Sequence, residues 1–498
     1  MRWCVLLVLV LALTASAQDR FTVGSKSFTE SVLLGEILAE RARREGLNVR
    51  HTASLRGTRL VFEAVKSGAI DAYPEYTGTL LREVFADQGL SSEVELRAAL
   101  AEIGLAMSAP IGFNNTYAIG VMPATAEEFG LSTISDMRRA PNLRLGFTNE
   151  FIERNDGWRA LKGAYGLPHE DVRGIDHDLG YRALGSGAID AKEVYTTDAK
   201  IEDMGLVVLE DDLAHFPRYD AVWVYRADLP ERLPAAIAAI EALTGILDER
   251  GMSSLNAQVD IDGRTEAEVA LNYFETGGAA EGTLTFGERT RQAIADIPRT
   301  TAQHALLVGA SMLLAIVLAI PMGVLAARSS RFEQVVLGGS GILQTIPSLA
   351  LLALLVSVLA ITGAVPTIVA LFVYSLLPIV RTTHSGLTQI PQSVRDSARS
   401  LGLPRGRMLL DVELPLALPS IFAGIKTAVV INVGTATLGA FIAAGGYGEP
   451  ILAGIRRGDT MLILSGLIPA ALMAIVLTLL LDLLERVITP SGAHSNSS

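Results

Sequence analysis

The sequence predicts two domains of different class in tandem: a bilobed α/β domain first, then an all-α domain that crosses a membrane several times. Three observations lead there. The N-terminus has the form of an export signal, the next 250 or so residues alternate short β-rich and helical stretches, and the remainder is dominated by long uncharged runs. Half of the 498 residues are apolar, too large a share for an ordinary soluble enzyme.

The signal consists of Arg2, an apolar core from Val5 to Leu13, and the small residues Ala15-Ser16-Ala17, so cleavage is expected after Ala17. Cys4, the only cysteine, lies inside it. A mature chain without cysteine has no disulfide, no thiolate metal site and no cysteine nucleophile. The formal charge of -12, with no clustered Lys and Arg, argues against a nucleic-acid partner.

Residues 18–282 are assigned to the α/β domain, where runs such as Leu143 to Phe147 alternate with helical stretches such as Glu30 to Arg44. Within it, Ser67-Gly68-Ala69-Ile70-Asp71-Ala72 recurs as Ser186-Gly187-Ala188-Ile189-Asp190-Ala191. Each copy follows a helical stretch and precedes a tyrosine, so each reads as helix end, glycine turn and strand. Two readings stay open: chance recurrence of helix-turn-strand grammar, or two lobes facing one cleft. In the second, Tyr73, Tyr76 and Tyr195 stand at strand ends, where open α/β sheets bind ligands. Tyr117 and Tyr219 fall near the crossovers between the lobes. Ring faces attract cations, and quaternary ammonium groups above all, since these cannot donate hydrogen bonds.

Residues 283–303 form a linker with an amphipathic stretch, Glu288 to Ile297, suited to a membrane interface. The membrane domain, 304–487, opens with the uncharged run Ala305 to Ala327, long enough at about 1.5 Å per residue to cross about 30 Å of hydrocarbon. Gln334 to Val380 is uncharged and broken at Thr362-Gly363-Ala364-Val365-Pro366 into spans two and three. Thr427 to Gly448 and Thr460 to Leu481 make spans four and five, with six spans the alternative and a polar tail from 488. Five crossings with an outside N-terminal domain put Arg328, Arg331, Arg381 and the Arg395 to Arg407 region inside, Arg456 and Arg457 being the exception. Asn432, Thr435 and Thr437 are polar positions in span four, more in keeping with close packing than with a pathway.

The segments "VGSKSFTES" (23–31), "LRGT" (55–58), "SGAIDAYPEYTGT" (67–79), "YTTDAKI" (195–201) and "LEDD" (209–212) resemble the substrate-binding proteins of glycine betaine, choline, carnitine and ergothioneine importers, a likeness running from Val23 to Tyr273. The resemblance implies a type II periplasmic-binding-protein fold whose lobes close on a trimethylated nitrogen in an aromatic box of Tyr76, Tyr117, Tyr195 and Tyr219. Ser27, Thr29 and Thr79 are candidate hydroxyls for orienting the ligand's polar end, and Ser27 stands where the family usually has an asparagine-like residue.

"DSARSLGLPRGRMLLDVELPLALP" (396–419) resembles the cytoplasmic signature of import permeases, as "LQTIPSLALL" (343–352) and "GTATLGAFIAAGGYG" (434–448) resemble the permeases of the same betaine-type systems. The implied coupling loop uses Asp396, Ala398, Gly402, Leu414 and Pro415 to dock on a separate ABC ATPase; an ordinary solvated loop is the alternative. No G-x-x-x-x-G-K-[ST] phosphate loop occurs, so ATP is expected on that partner and no cofactor on this chain. The expectation is a multi-pass inner-membrane importer component with its binding domain outside, paired as a permease homodimer. An ergothioneine-specific importer, an integral membrane enzyme and a solute-sensing membrane receptor are the rivals; no paired-carboxylate motif, Ser-His-Asp set or signalling segment stands out in favour of the latter two.

Overall fold

The computed structural model describes residues 20–489 except 56, 280, 281 and 360. The export-signal assignment, Cys4 and the end of the polar tail lie outside the described residues. The chain divides into one unit containing residues up to Arg291 together with Ala453–Thr460, and another containing Gln292–Leu452 together with residues from Met461 on.

The first unit holds two five-stranded mixed sheets. One has the order β2-β1-β3-β10-β4, built from β1 (Arg20–Lys26), β2 (Asn48–Leu55), β3 (Ala72–Tyr76), β4 (Leu105–Met107) and β10 (Ala221–Arg226). The other has the order β7-β6-β8-β5-β9, from β5 (Tyr117–Val121), β6 (Leu145–Phe147), β7 (Val172–Gly174), β8 (Ala191–Tyr195) and β9 (Val207–Leu209). The two orders are equivalent position by position: the second strand, β1 or β6, is parallel to both its neighbours, and the fourth, β10 or β5, arriving from the other lobe, is antiparallel to both of its own. A bridge between Asn114 and Asp220 pins the two crossover segments side by side.

The repeated hexapeptide explains this equivalence. Helix α1 (Thr29–Arg44) covers the first sheet, and α2 (Thr58–Ser67) ends at Gly68, whose φ of 82° closes the helix in the left-handed region. Ala69 N and Ile70 N then both donate to Ala64 O, and Asp71 Oδ2 accepts from Thr22 N at 2.7 Å as β3 starts. In the second lobe α3 (His177–Gly185) is followed by Gly187 at φ 70°; Ala188 N and Ile189 N both donate to Ala183 O, and Asp190 Oδ2 accepts from Arg144 N at 2.8 Å. The two isoleucines play the same part in packing, since a Cβ on Gly24 would strike Ile70 and one on Gly146 would strike Ile189. Helix α4 (Glu249–Asp260) follows β10 and carries Asn256 and Asp260.

The second unit is helical. Among the described residues, four helices are long and apolar enough to cross a membrane: Phe286–Arg328, Ala364–Thr388, Arg405–Ile442 and Thr460–Ile488. Among the same residues a fifth crossing is available as a broken pair, Ser330–Thr345 and Ser348–Leu359, bent by 97°. The break expected at Thr362 to Pro366 is present, one helix ending at Leu359 and the next starting at Ala364; a further bend, which the sequence expectation does not include, lies at Ile346-Pro347. Pro347 lacks an N–H, and its ring drives Ile346 out of helical geometry to ψ 126°. The amphipathic stretch forms a helix, Phe286–Ala295, followed after Asp296 by α5 (Ile297–Arg328). Asn432, on α7 (Leu414–Ala436), donates to Ser311 Oγ on α5 at 3.0 Å and is fully buried, a helix-packing position.

Candidate functional site

The two sheets present their strand ends to a cavity lined by Lys26, Ser27, Phe28, Gly57, Thr58, Tyr76, Thr79, Asn115, Tyr117, Glu150, Arg154, Tyr195 and Tyr219. Sheet register places the aromatic residues. Tyr76 ends β3 opposite Ala221, the first residue of β10, just after Tyr219; Tyr195 ends β8 opposite Tyr117, the first residue of β5. All four sequence-predicted tyrosines therefore converge on one space. Phe28 completes the circuit, with centroid distances of 6.3 Å to Tyr76 and 5.4 Å to Tyr195, while Tyr117 lies 5.4 Å from Tyr195 and 5.6 Å from Tyr219. The hydroxyls of Tyr76 and Tyr219 donate at 2.6 Å to Glu30 and Asp156, which enriches the electron density of both rings. Burial and the neighbouring carboxylate push both phenols up, so they stay protonated.

Each lobe also brings a buried cation to the wall. Lys26 Nζ contacts Glu75 Oε1 at 2.5 Å and stands 5.5 Å from the Tyr76 ring centre. Arg154 grips Asp156 with two bonds of 2.6 and 2.7 Å and stands 5.5 Å from the Tyr117 ring centre. Between them, Glu150 accepts from Thr58 Oγ1 at 2.6 Å. Burial opposes its charge, but Lys26 and Arg154 outweigh burial and hold its carboxyl below the usual range. Behind Tyr195 the His177 ring stacks at 4.3 Å and 12°, with Nε2 2.9 Å from Asp198 Oδ2. Burial and Lys192 oppose a charge on His177, but Asp198 prevails and its pKa is pushed up to about 9.

Of the sequence-predicted hydroxyls, Ser27 and Thr79 line the cavity, Thr79 lying 3.5 Å from Arg154 Nη2. Thr29 does not: it starts α1, and its Oγ1 donates to Asp260 on α4 at 2.7 Å. Sequence reasoning misses Lys26, Phe28, Glu150 and Arg154. Lys26 and Phe28 lie in view within "VGSKSFTES", beside the candidates Ser27 and Thr29; Glu150 and Arg154 carry no motif signal, since only the fold swings residues 149–156 over the first lobe's Thr58 and Thr79. Among the described residues no cluster of metal-ligating side chains occurs.

In the helical unit, Gln392–Ser400 forms helix α6 with Ala398 buried and Asp396 exposed; Gly402 reverses the chain at φ 77°, and Leu414 and Pro415 open α7. Glu413, which no sequence signal marks, is fully buried and paired with Arg328 at the end of α5 and with Arg395 at 3.2 Å. It ties the loop helix to the first span.

Comparison with known proteins agrees with both units. Residues 19–276 match the substrate binding domain of ABC-type glycine betaine transport systems, and residues 319–492 match the binding-protein-dependent transport system inner membrane component. The osmoprotectant import permease protein OsmW of Salmonella typhimurium is 42% identical over 196 residues, 39% of this chain and 91% of that protein. A glycine betaine/carnitine/choline transport system permease protein of Bacillus subtilis, OpuCD, is 41% identical over 189 residues, 38% and 82% of the two chains. The ergothioneine transport permease/ergothioneine binding protein EgtU of Helicobacter pylori is 30% identical over 269 residues, 53% of this chain and 49% of that one.

Proposed function

Given a chain that belongs to the glycine betaine/choline/carnitine-type ABC importers and joins their substrate-binding domain to their permease, we propose that it captures zwitterionic quaternary ammonium compounds. The observation that carries this reading is the cavity itself, where five aromatic rings share a wall with two buried cations. A methylated nitrogen offers no N–H, so ring faces and a carboxylate are what can hold it; Phe28, Tyr76, Tyr117, Tyr195 and Tyr219 supply the faces and Glu150 the negative charge. A ligand carboxylate needs charged donors, and Lys26 and Arg154 supply them, with Ser27 and Thr79 beside them. Ring contacts of roughly 0.5–2 kcal/mol each sum, over several rings, to much of the -8.2 kcal/mol of a micromolar complex.

The chain is an integral membrane protein of a transporter family. In the proposed assembly the binding domain faces the outside, the α6 loop docks on a separate ABC ATPase that uses the ATP, and two permease domains pair around one pathway, with no resident cofactor. An exported-type N-terminus and the absence of a phosphate loop support this arrangement. Ergothioneine, itself a trimethylated zwitterion, is the second reading, favoured by a relative whose name likewise joins permease and binding protein. Titration calorimetry of the full chain against glycine betaine, carnitine, choline and ergothioneine tests both. The zwitterions should bind more tightly than choline, and equal or tighter choline binding overturns the carboxylate subsite. ATP-dependent uptake by proteoliposomes holding the chain and its ATPase tests the assembly.

A further inference from the structure

Glu30 lies on α1, one residue beyond Thr29, and is 3% exposed, yet its carboxylate is fully engaged. Oε1 accepts from Tyr76 Oη at 2.6 Å and from Asn115 Nδ2 at 2.8 Å; Oε2 accepts from Asn256 Nδ2 at 3.1 Å and from the hydroxyl of Thr197. These donors come from four places: the end of β3 in the first lobe, the crossover before β5, helix α4, and the turn after β8 in the second lobe. Four donors on two oxygens stabilise an ionised carboxylate against a burial that pushes its pKa up. Only one donor, Thr197, belongs to the second lobe, so in this arrangement the carboxylate bridges the two lobes.

We propose that Glu30 is a positioning residue that couples lobe closure to the aromatic wall, because one carboxylate holds both the Tyr76 hydroxyl of the first lobe and the Thr197 hydroxyl of the second. When the lobes part, Oε2 loses a charge-assisted bond that nothing in the first lobe replaces. When they close, the same carboxylate is braced on all sides and the Tyr76 ring is held at the ligand. Closure and ring placement thus share one group. The inference rests on the cavity being the ligand site, but the latch it describes is a property of the lobes themselves.

Thr197 gives a clean handle, since its backbone is tied independently: its N–H donates to Asn115 Oδ1 at 3.4 Å and its carbonyl accepts from Asn256 at 3.0 Å. Thr197→Val removes the hydroxyl alone. The experiment uses the full chain in nanodiscs, with Cys4→Ser and dyes on E102C and E170C, exposed positions of the two lobes. Single-molecule energy transfer reads opening without ligand, and stopped-flow dissociation of glycine betaine reads the complex. T197V should shift the ligand-free lobes toward open and speed dissociation about tenfold or more, the range for a bond to a charged group. T197S should restore both. Combined with Tyr76→Phe, T197V should add less than its separate factor, because both act through Glu30. An unchanged lobe distribution and dissociation rate in T197V, or effects of T197V and Y76F that simply multiply, overturns the latch. If wild type binds none of the quaternary ammonium ligands while T197V still opens the empty lobes, the latch stands and the ligand reading falls.

Discussion

The first and second lobes of the binding domain share a scaffold down to single atoms and differ in what stands behind their rings. Asp71 accepts from Thr22 in β1 and Asp190 from Arg144 just before β6, Ile70 and Ile189 each fill the space beside a strand glycine, and Tyr76 and Tyr195 each end the following strand. Yet Tyr76 is held through its hydroxyl by buried Glu30, whereas Tyr195 is backed by a flat imidazole that Asp198 keeps charged. The cations differ too: Lys26 meets Glu75 at one point, Arg154 meets Asp156 at two. Even the matched aspartates diverge. Burial raises the Asp71 carboxyl, while the Arg144 guanidinium lowers that of Asp190. A repeated hexapeptide thus specifies helix end, turn and strand, and the electrostatics of each wall is set by residues outside it.

Paired substitutions in the two lobes show how far that comparison holds. Removing one partner of a buried, bidentate pair costs most, so Arg154→Ala should destabilise the binding domain by about 3–5 kcal/mol in denaturant unfolding followed by tryptophan fluorescence. Lys26→Ala should cost less, and equal losses would erase the expected asymmetry. Gly24→Ala and Gly146→Ala should each cost about 1–3 kcal/mol by overpacking an isoleucine. A large difference between those two would break the scaffold equivalence. Tyr76→Ala and Tyr195→Ala should each weaken glycine betaine binding by about tenfold, or about 1.4 kcal/mol, in calorimetry. Unchanged affinity in both removes the aromatic wall from the binding reading.

The last expected effect concerns pH. Because the folded-state pKa of His177 lies above its unfolded value near 6.5, its charge stabilises the second lobe fully below about pH 6.5, and that contribution is lost as pH rises through about 9. His177→Phe keeps a stacked ring without the charge, so it should flatten the decline in melting temperature across that window, a difference of about a few °C. A wild-type midpoint that does not fall between pH 6.5 and 9 would show that Asp198 does not hold the proton there.

Much was legible because it is local. The tyrosines at strand ends follow from helix-turn-strand grammar, and the apolar runs follow from the thickness of a bilayer. The break at Thr362 to Pro366 was legible too; what failed was a statement about side-chain direction, and what went unseen was a second break inside apolar text. Thr29 sits in a motif rich in hydroxyls, but its side chain turns toward Asp260 because α1 begins there. The bend at Ile346-Pro347 was hidden in an uncharged stretch where composition alone shows no interruption.

Taken by itself, the chain's text determined the tandem order of a bilobed domain and a helical membrane domain, the pair of lobes, and the tyrosines at their strand ends. These depend on hydropathy period, turn glycines and short spacing, all of which act within a few residues. Tertiary structure alone decided that Glu150 and Arg154 reach the cavity, that Phe28 closes the ring, and that Glu30 joins both lobes. Those contacts span from 46 to 226 positions for Glu30 alone. No local periodicity encodes which buried carboxylate will meet which donor; only the crossing of the two lobes brings them together.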